Sequence, residues 1–178
     1  MCMITHKVCS KCGTEKPVSD FSSSSPNKDG YNSWCKQCVR DSTAKFRQTP
    51  SGIYSLIKGR QTYDHKHGLP AAKPFNINRK EFIKWYKNEP KQCCYCDILE
   101  EHVPVMTEKW GDVTNRLTVD CRNDSIGYRI DNVVLACPKC NLVKQNILTF
   151  DEMRYVGQNF IKPKWEKLVN GSEKNESN

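Results

Sequence analysis

Eight of the eleven cysteines fall into four C-x-x-C pairs: Cys9 and Cys12, Cys35 and Cys38, Cys93 and Cys96, Cys137 and Cys140. Each such turn holds two sulfurs near one ion, and two turns complete a tetrahedral thiolate shell. The separations couple Cys9 and Cys12 with Cys35 and Cys38, and Cys93 and Cys96 with Cys137 and Cys140. The first set suits a small zinc ribbon, with Asp29-Gly30 turning a hairpin inside it. The second staples the segment around residue 137 to what precedes it. A secreted disulfide protein would also be cysteine-dense. The N-terminus, MCMITHKVC, lacks an apolar signal core, and no run approaches membrane-spanning length. The expectation is two structural Zn²⁺ ions in a reducing, cytoplasmic setting, with neither secretion nor membrane contact.

The chain has 178 residues and 37% hydrophobic content, too little for one large apolar core. Four regions are expected. Residues 1–40 form the zinc ribbon. Residues 41–90 form a helical connector, broken near Pro50-Ser51-Gly52. Residues 91–162 hold the second zinc site and the chemistry, and residues 163–178 form a disordered tail. Asn78-x-x-Glu81 and Thr149-x-x-Glu152 read as capping boxes, opening helices over about 79–87 and through about 160. Residues 97–115 read as an excursion loop. Formal charge is +8, from 28 Lys+Arg against 20 Asp+Glu, which favours a polyanionic partner.

The stretch from Arg116 to Lys144 organises the rest. Thr118, Val119 and Asp120 read as strand, because β-branched residues fit a pleated, half-buried surface. Asn123, Asp124 and Gly127 read as turn residues. Val133 to Ala136 form a second, apolar strand that ends at Cys137. Asn141 then opens a helix carrying Lys144. Phosphodiester hydrolysis needs a divalent cation, a base for water and cations for the backbone. Asp120 and Asn141 offer hard oxygen ligands that suit Mg²⁺ or Mn²⁺, whereas the soft knuckle thiolates keep zinc.

The ordered set Val119-Asp120, Gly127-Tyr128, Asp131 to Ala136 and Cys137-x-x-Cys140-Asn141-x-x-Lys144 resembles the HNH nuclease family. The resemblance implies an α+β fold: a small zinc-stapled ββα-metal core with an N-terminal Cys₄ ribbon and a helical connector. It implies that Asn132 pins the loop between the strands. Asn141 stands where the last histidine of the motif ligates the metal beside Asp120. Lys144, and with it Arg122, would hold DNA phosphates.

One position departs from the family. Its first histidine, the usual general base, is Cys121 here, and a thiol is a poor water-activating base. A restriction-enzyme branch of the family also lacks that histidine and is assigned a tyrosine, which resembles Tyr95 within the second knuckle. His65, His67 and His102 are rivals, with near-neutral pKa values. The functional expectation is a sequence-specific double-stranded DNA endonuclease, homodimeric if its target is palindromic. The alternatives are a phage or homing nuclease or nickase, a zinc-dependent DNA-binding protein with a catalytically weak or dead centre, and a zinc scaffold for a protein partner.

Overall fold

The computed structural model describes residues 5–110 and 115–173. They form two compact units, Met1–Leu56 and Ile57–Asn178. The division between these units lies within the connector.

In the first unit, strands β1 (His6–Val8) and β2 (Glu15–Pro17) pair antiparallel, with Lys7 opposite Lys16. Strands β3 (Phe21–Ser23) and β4 (Tyr31–Cys35) pair in the same sense, with Phe21 opposite Cys35. Such short hairpins expose most of their surface, and Cys9, Phe21 and Cys35 form a small buried cluster, flanked by Tyr31 and Cys38. A core that small needs a metal or similar staple. Helix α1 (Lys36–Gln48) starts inside the second knuckle, earlier than the sequence suggested, because the Cys35 sulfur accepts from the Cys38 amide and caps it. Helix α2 (Pro50–Lys66) follows and runs into the second unit.

The second unit carries the larger core. Helix α3 (Arg79–Asn88) begins at a reciprocal capping box between Asn78 and Glu81, and buries Phe82 and Tyr86. Residues 97–115, expected as a loop, instead contain a 3₁₀ turn (Glu100–His102) and helix α4 (Val103–Trp110). Val103, Met106 and Thr107 are buried there, on the i, i+3, i+4 face that makes a short helix worth forming.

Strands β5 (Thr118–Cys121) and β6 (Val133–Ala136) pair antiparallel, with Asp120 opposite Val134. All of β6 and all of β5 after Thr118 are buried, so the hairpin shows no solvent alternation. Helix α5 (Pro138–Lys144) starts at Cys137, whose sulfur accepts from the Cys140 amide. Helix α6 (Phe150–Val156) opens on the Thr149 and Glu152 capping box. A wide π turn (Gly157–Ile161) then leads into helix α7 (Lys162–Glu173). That helix occupies most of the expected disordered tail, and residues 174–178 of that expectation lie outside the described residues. Its order has a local cause: Trp165 is buried, and its indole N–H donates to the Cys96 carbonyl at 3.2 Å.

Candidate active site

The cysteine sulfurs of each expected set lie within 4.8 Å of one another: Cys9, Cys12, Cys35 and Cys38 in one, Cys93, Cys96, Cys137 and Cys140 in the other. Four soft donors this close are compatible with tetrahedral zinc. All four cysteines of the second set are buried. The Cys94 amide donates to the Leu135 carbonyl at 2.9 Å, which fastens the Cys93–Cys96 knuckle onto β6.

The same knuckle delivers Tyr95 to Asp120. Its hydroxyl donates to Asp120 Oδ2 at 2.8 Å, while the Cys121 amide donates to Asp120 Oδ1 at 2.8 Å. Thr118 and Asp120 share one face of β5, since side chains alternate along a strand. Asn141 and Lys144 share one face of α5, being three apart. The two faces meet: Asn141 Nδ2 donates to Thr118 Oγ1 at 3.0 Å, and Lys144 Nζ stands 3.5 Å from Asp120 Oδ2. Thus Tyr95, Asp120, Asn141 and Lys144, scattered over fifty residues, occupy one locus.

Burial raises the proton affinity of this locus. It pushes the Asp120 carboxyl up, opposed by the charge of Lys144. It pushes the Tyr95 phenol up as well, reinforced by the charge of Asp120. The Tyr95 side chain has no exposed surface, and its hydroxyl proton is directed at the Asp120 carboxylate. Cys121 is fully buried, and desolvation pushes its thiol up to about 12. It stays a neutral thiol at working pH.

Asn132 is 5% exposed and binds the β5–β6 loop at three points. Its Oδ1 accepts from the Asn123 amide at 3.0 Å, and its Nδ2 donates to the carbonyls of Asn123 at 2.8 Å and Gly127 at 2.7 Å. Arg122, the next residue after the hairpin strand, is exposed and lays its guanidinium 4.6 Å from the Phe150 ring centre.

Asp124 and Lys73, which the sequence did not assign to the site, adjoin it. Asp124, taken as a turn residue, accepts at Oδ1 from Lys73 Nζ at 2.7 Å and from Lys144 Nζ at 3.2 Å. Its Oδ2 is buried without a hydrogen-bond partner. Lys144, expected on a DNA phosphate, is instead 1% exposed and enclosed between Asp120 and Asp124. No local spacing announces these contacts, because Lys73 and Asp124 are 51 residues apart.

Two clefts open over this locus. One, of about 510 Å³, is lined by Arg122, Asp124, Lys144, Thr149 and Phe150 among others. The second, of about 530 Å³, is lined by Pro70, Lys73, Asp124, Asn141 and Asn146 among others. Asp124 lines both. No histidine lines either one. His65 Nε2 donates to the Lys73 carbonyl at 2.9 Å, and His67 Nδ1 donates to the Tyr63 carbonyl at 2.8 Å with its ring on Tyr63. His102 lies 3.8 Å from Glu101.

No protein-family model matches the chain, and no curated protein matches it. A solved structure does: that of the rare-cutting HNH restriction endonuclease PacI, with a TM-score of 0.51 and 23% identity, over 89% of this chain and 94% of that one. The chain has the ββα fold of the PacI HNH endonuclease.

Proposed function

We propose that this protein is a metal-dependent endonuclease that hydrolyses double-stranded DNA at specific sequences, acting as a homodimer. The observation that carries the reading is the convergence of Asp120 from β5 with Asn141 and Lys144 from α5, at a hairpin–helix junction stapled by four cysteines. The fold shared with PacI and the formal charge of +8 support it.

The donor set fits a hard divalent cation. Asp120 and Asn141 supply oxygen ligands, and the buried, unpartnered Oδ2 of Asp124 shows that the locus has acceptor capacity to spare. Mg²⁺ or Mn²⁺ held there supplies charge neutralisation at the phosphate and acidifies water. The chain's own residues do the rest. Tyr95 and the Cys121 amide fix the Asp120 carboxylate. Lys144 balances Asp120 and Asp124 at the cleft floor. Asn132 holds the loop from which Arg122 reaches a phosphate. The two cysteine quartets hold structural Zn²⁺.

The test is cleavage of a long mixed-sequence DNA by zinc-loaded protein in Mg²⁺, in Mn²⁺ and in EDTA. Discrete fragments in either metal, absent in EDTA, are expected. The variant Asn141→Ala should lose cleavage and keep both zinc ions, and its full activity would overturn the metal assignment. One observation favours a second reading: a neutral, buried thiol occupies the place of the usual base. DNA binding without cutting would make this a DNA-binding protein on a nuclease fold.

A further inference from the structure

Lys73 lies in the irregular segment between α2 and α3, a setting where a lysine is ordinarily free to move. Here it is held at three points. Its amide donates to Gln61 Oε1 at 2.6 Å, and Gln61 is itself 5% exposed. Its carbonyl accepts from His65 Nε2 at 2.9 Å. Its ammonium donates to Asp124 Oδ1 at 2.7 Å. Pro70 and Pro74 flank it and restrict the backbone further. The residues just beyond are tied to the β5–β6 loop, since the Tyr128 amide donates to the Pro74 carbonyl at 2.7 Å and the Asn76 amide donates to the Tyr128 carbonyl at 2.9 Å. Two residues of α2 and one of the nuclease loop therefore fix where this single cation stands.

The charges around it differ in access. Lys73 and Lys144 share Asp124 Oδ1, but their side chains are 21% and 1% exposed. Lys73 alone of the two opens to the cleft that Asn141 and Asp124 line. Moving it to another anion would not strand Asp124, which keeps Lys144 as counter-ion. An anion entering this cleft thus meets a lysine that is positioned in advance and that leaves Asp124 in contact with Lys144 when it moves.

We propose that Lys73 is a phosphate-contacting residue of this cleft, aimed by Gln61 and His65 and held by Asp124 until a DNA phosphate takes it. The proposal rests on the nuclease reading above and gives His65 a role in aiming Lys73, in place of proton transfer.

The experiment measures binding of a fluorescein-labelled mixed-sequence duplex in EDTA as a function of salt, and cleavage in Mn²⁺. Zinc-loaded wild type is compared with Lys73→Met, Lys73→Arg and Lys87→Met, the last being an exposed lysine of α3 outside both clefts. Loss of one phosphate contact lowers the slope of log affinity against log salt by about 1. That change is expected for Lys73→Met, with cleavage slowed roughly tenfold or more, while Lys73→Arg keeps the wild-type slope. If Lys73→Met does not fold, Lys73→Gln, whose side-chain amide can still donate toward Asp124 without the charge, carries the same expectation. A slope and cleavage rate equal to those of Lys87→Met would overturn the role of Lys73 alone. Wild-type protein that neither binds nor cuts DNA would overturn the nuclease reading itself.

Discussion

The Tyr95 hydroxyl donates to Asp120 Oδ2 at 2.8 Å, with neither side chain more than 3% exposed. Together with Lys144 this bond opposes the burial that pushes the Asp120 carboxyl up. Hydrogen bonds to buried charged groups contribute about 1.5–3 kcal/mol. The variant Tyr95→Phe should therefore unfold at lower denaturant, by about 2 kcal/mol, and cut DNA roughly tenfold more slowly through a less ordered Asp120. A general base contributes about 10²–10⁴-fold. A cleavage loss of that size in a folded Tyr95→Phe variant would restore the tyrosine as the water-activating group.

Asn132 satisfies one amide and two carbonyls with one side chain. Removing it leaves all three without that partner in a loop whose span is set by them. Asn132→Ala should cost about 2–4 kcal/mol, the range for breaking a buried hydrogen-bond network. It should also abolish cleavage, because Arg122 and Asp124 lie on that loop. Urea unfolding and a cleavage assay on the zinc-loaded variant check both parts. Wild-type stability would show that the loop is held by its other contacts.

Gly127 and Gly30 both adopt the left-handed region, at φ +71 and +76, but only Gly127 is crowded. A Cβ at Gly127 would overlap the backbone of Pro74, while one at Gly30 meets open space. Alanine in the left-handed region costs about 1–2 kcal/mol for backbone strain alone. Gly30→Ala should cost about that much. Gly127→Ala should cost more, about 3 kcal/mol or above, and should weaken DNA cleavage by shifting the segment that carries Lys73. Equal destabilisation of the two variants would mean that the Pro74 contact gives way freely.

Features encoded locally were legible in the sequence. The four C-x-x-C turns, the capping boxes at Asn78 and Thr149, and the apolar run Val133–Ala136 each specify their structure within a few residues. What escaped depends on distant partners. Helix α4 is short and begins Val103-Pro104, so its buried face shows only against the core. Helix α7 has a polar sequence and is anchored by Trp165 on a carbonyl 69 residues away. Lys144 reads as an exposed helical lysine until Asp120 and Asp124 are seen to enclose it. Asp124 reads as a turn residue until Lys73 reaches it.

The two cysteine quartets differ in access, and that difference sets an order of metal loss. Cys12 is exposed and Cys38 is half-buried in the ribbon, whereas Cys93, Cys96, Cys137 and Cys140 are all buried. A chelator must reach a ligand position to take the ion, so the ribbon should release its zinc first. The second ion should follow slowly, limited by opening of the core. Losing it frees Cys137 and Cys140, the start of the helix that carries Asn141 and Lys144, so cleavage should fall with this second phase. Zinc release to a chromogenic chelator, sampled alongside Mn²⁺-dependent cleavage, should show two phases of one ion each, with activity surviving the first. Activity lost in the first phase would instead make the ribbon part of the DNA-binding surface. Its cations, such as Lys11 at 5.1 Å over the Trp34 ring, would then be the next residues to replace.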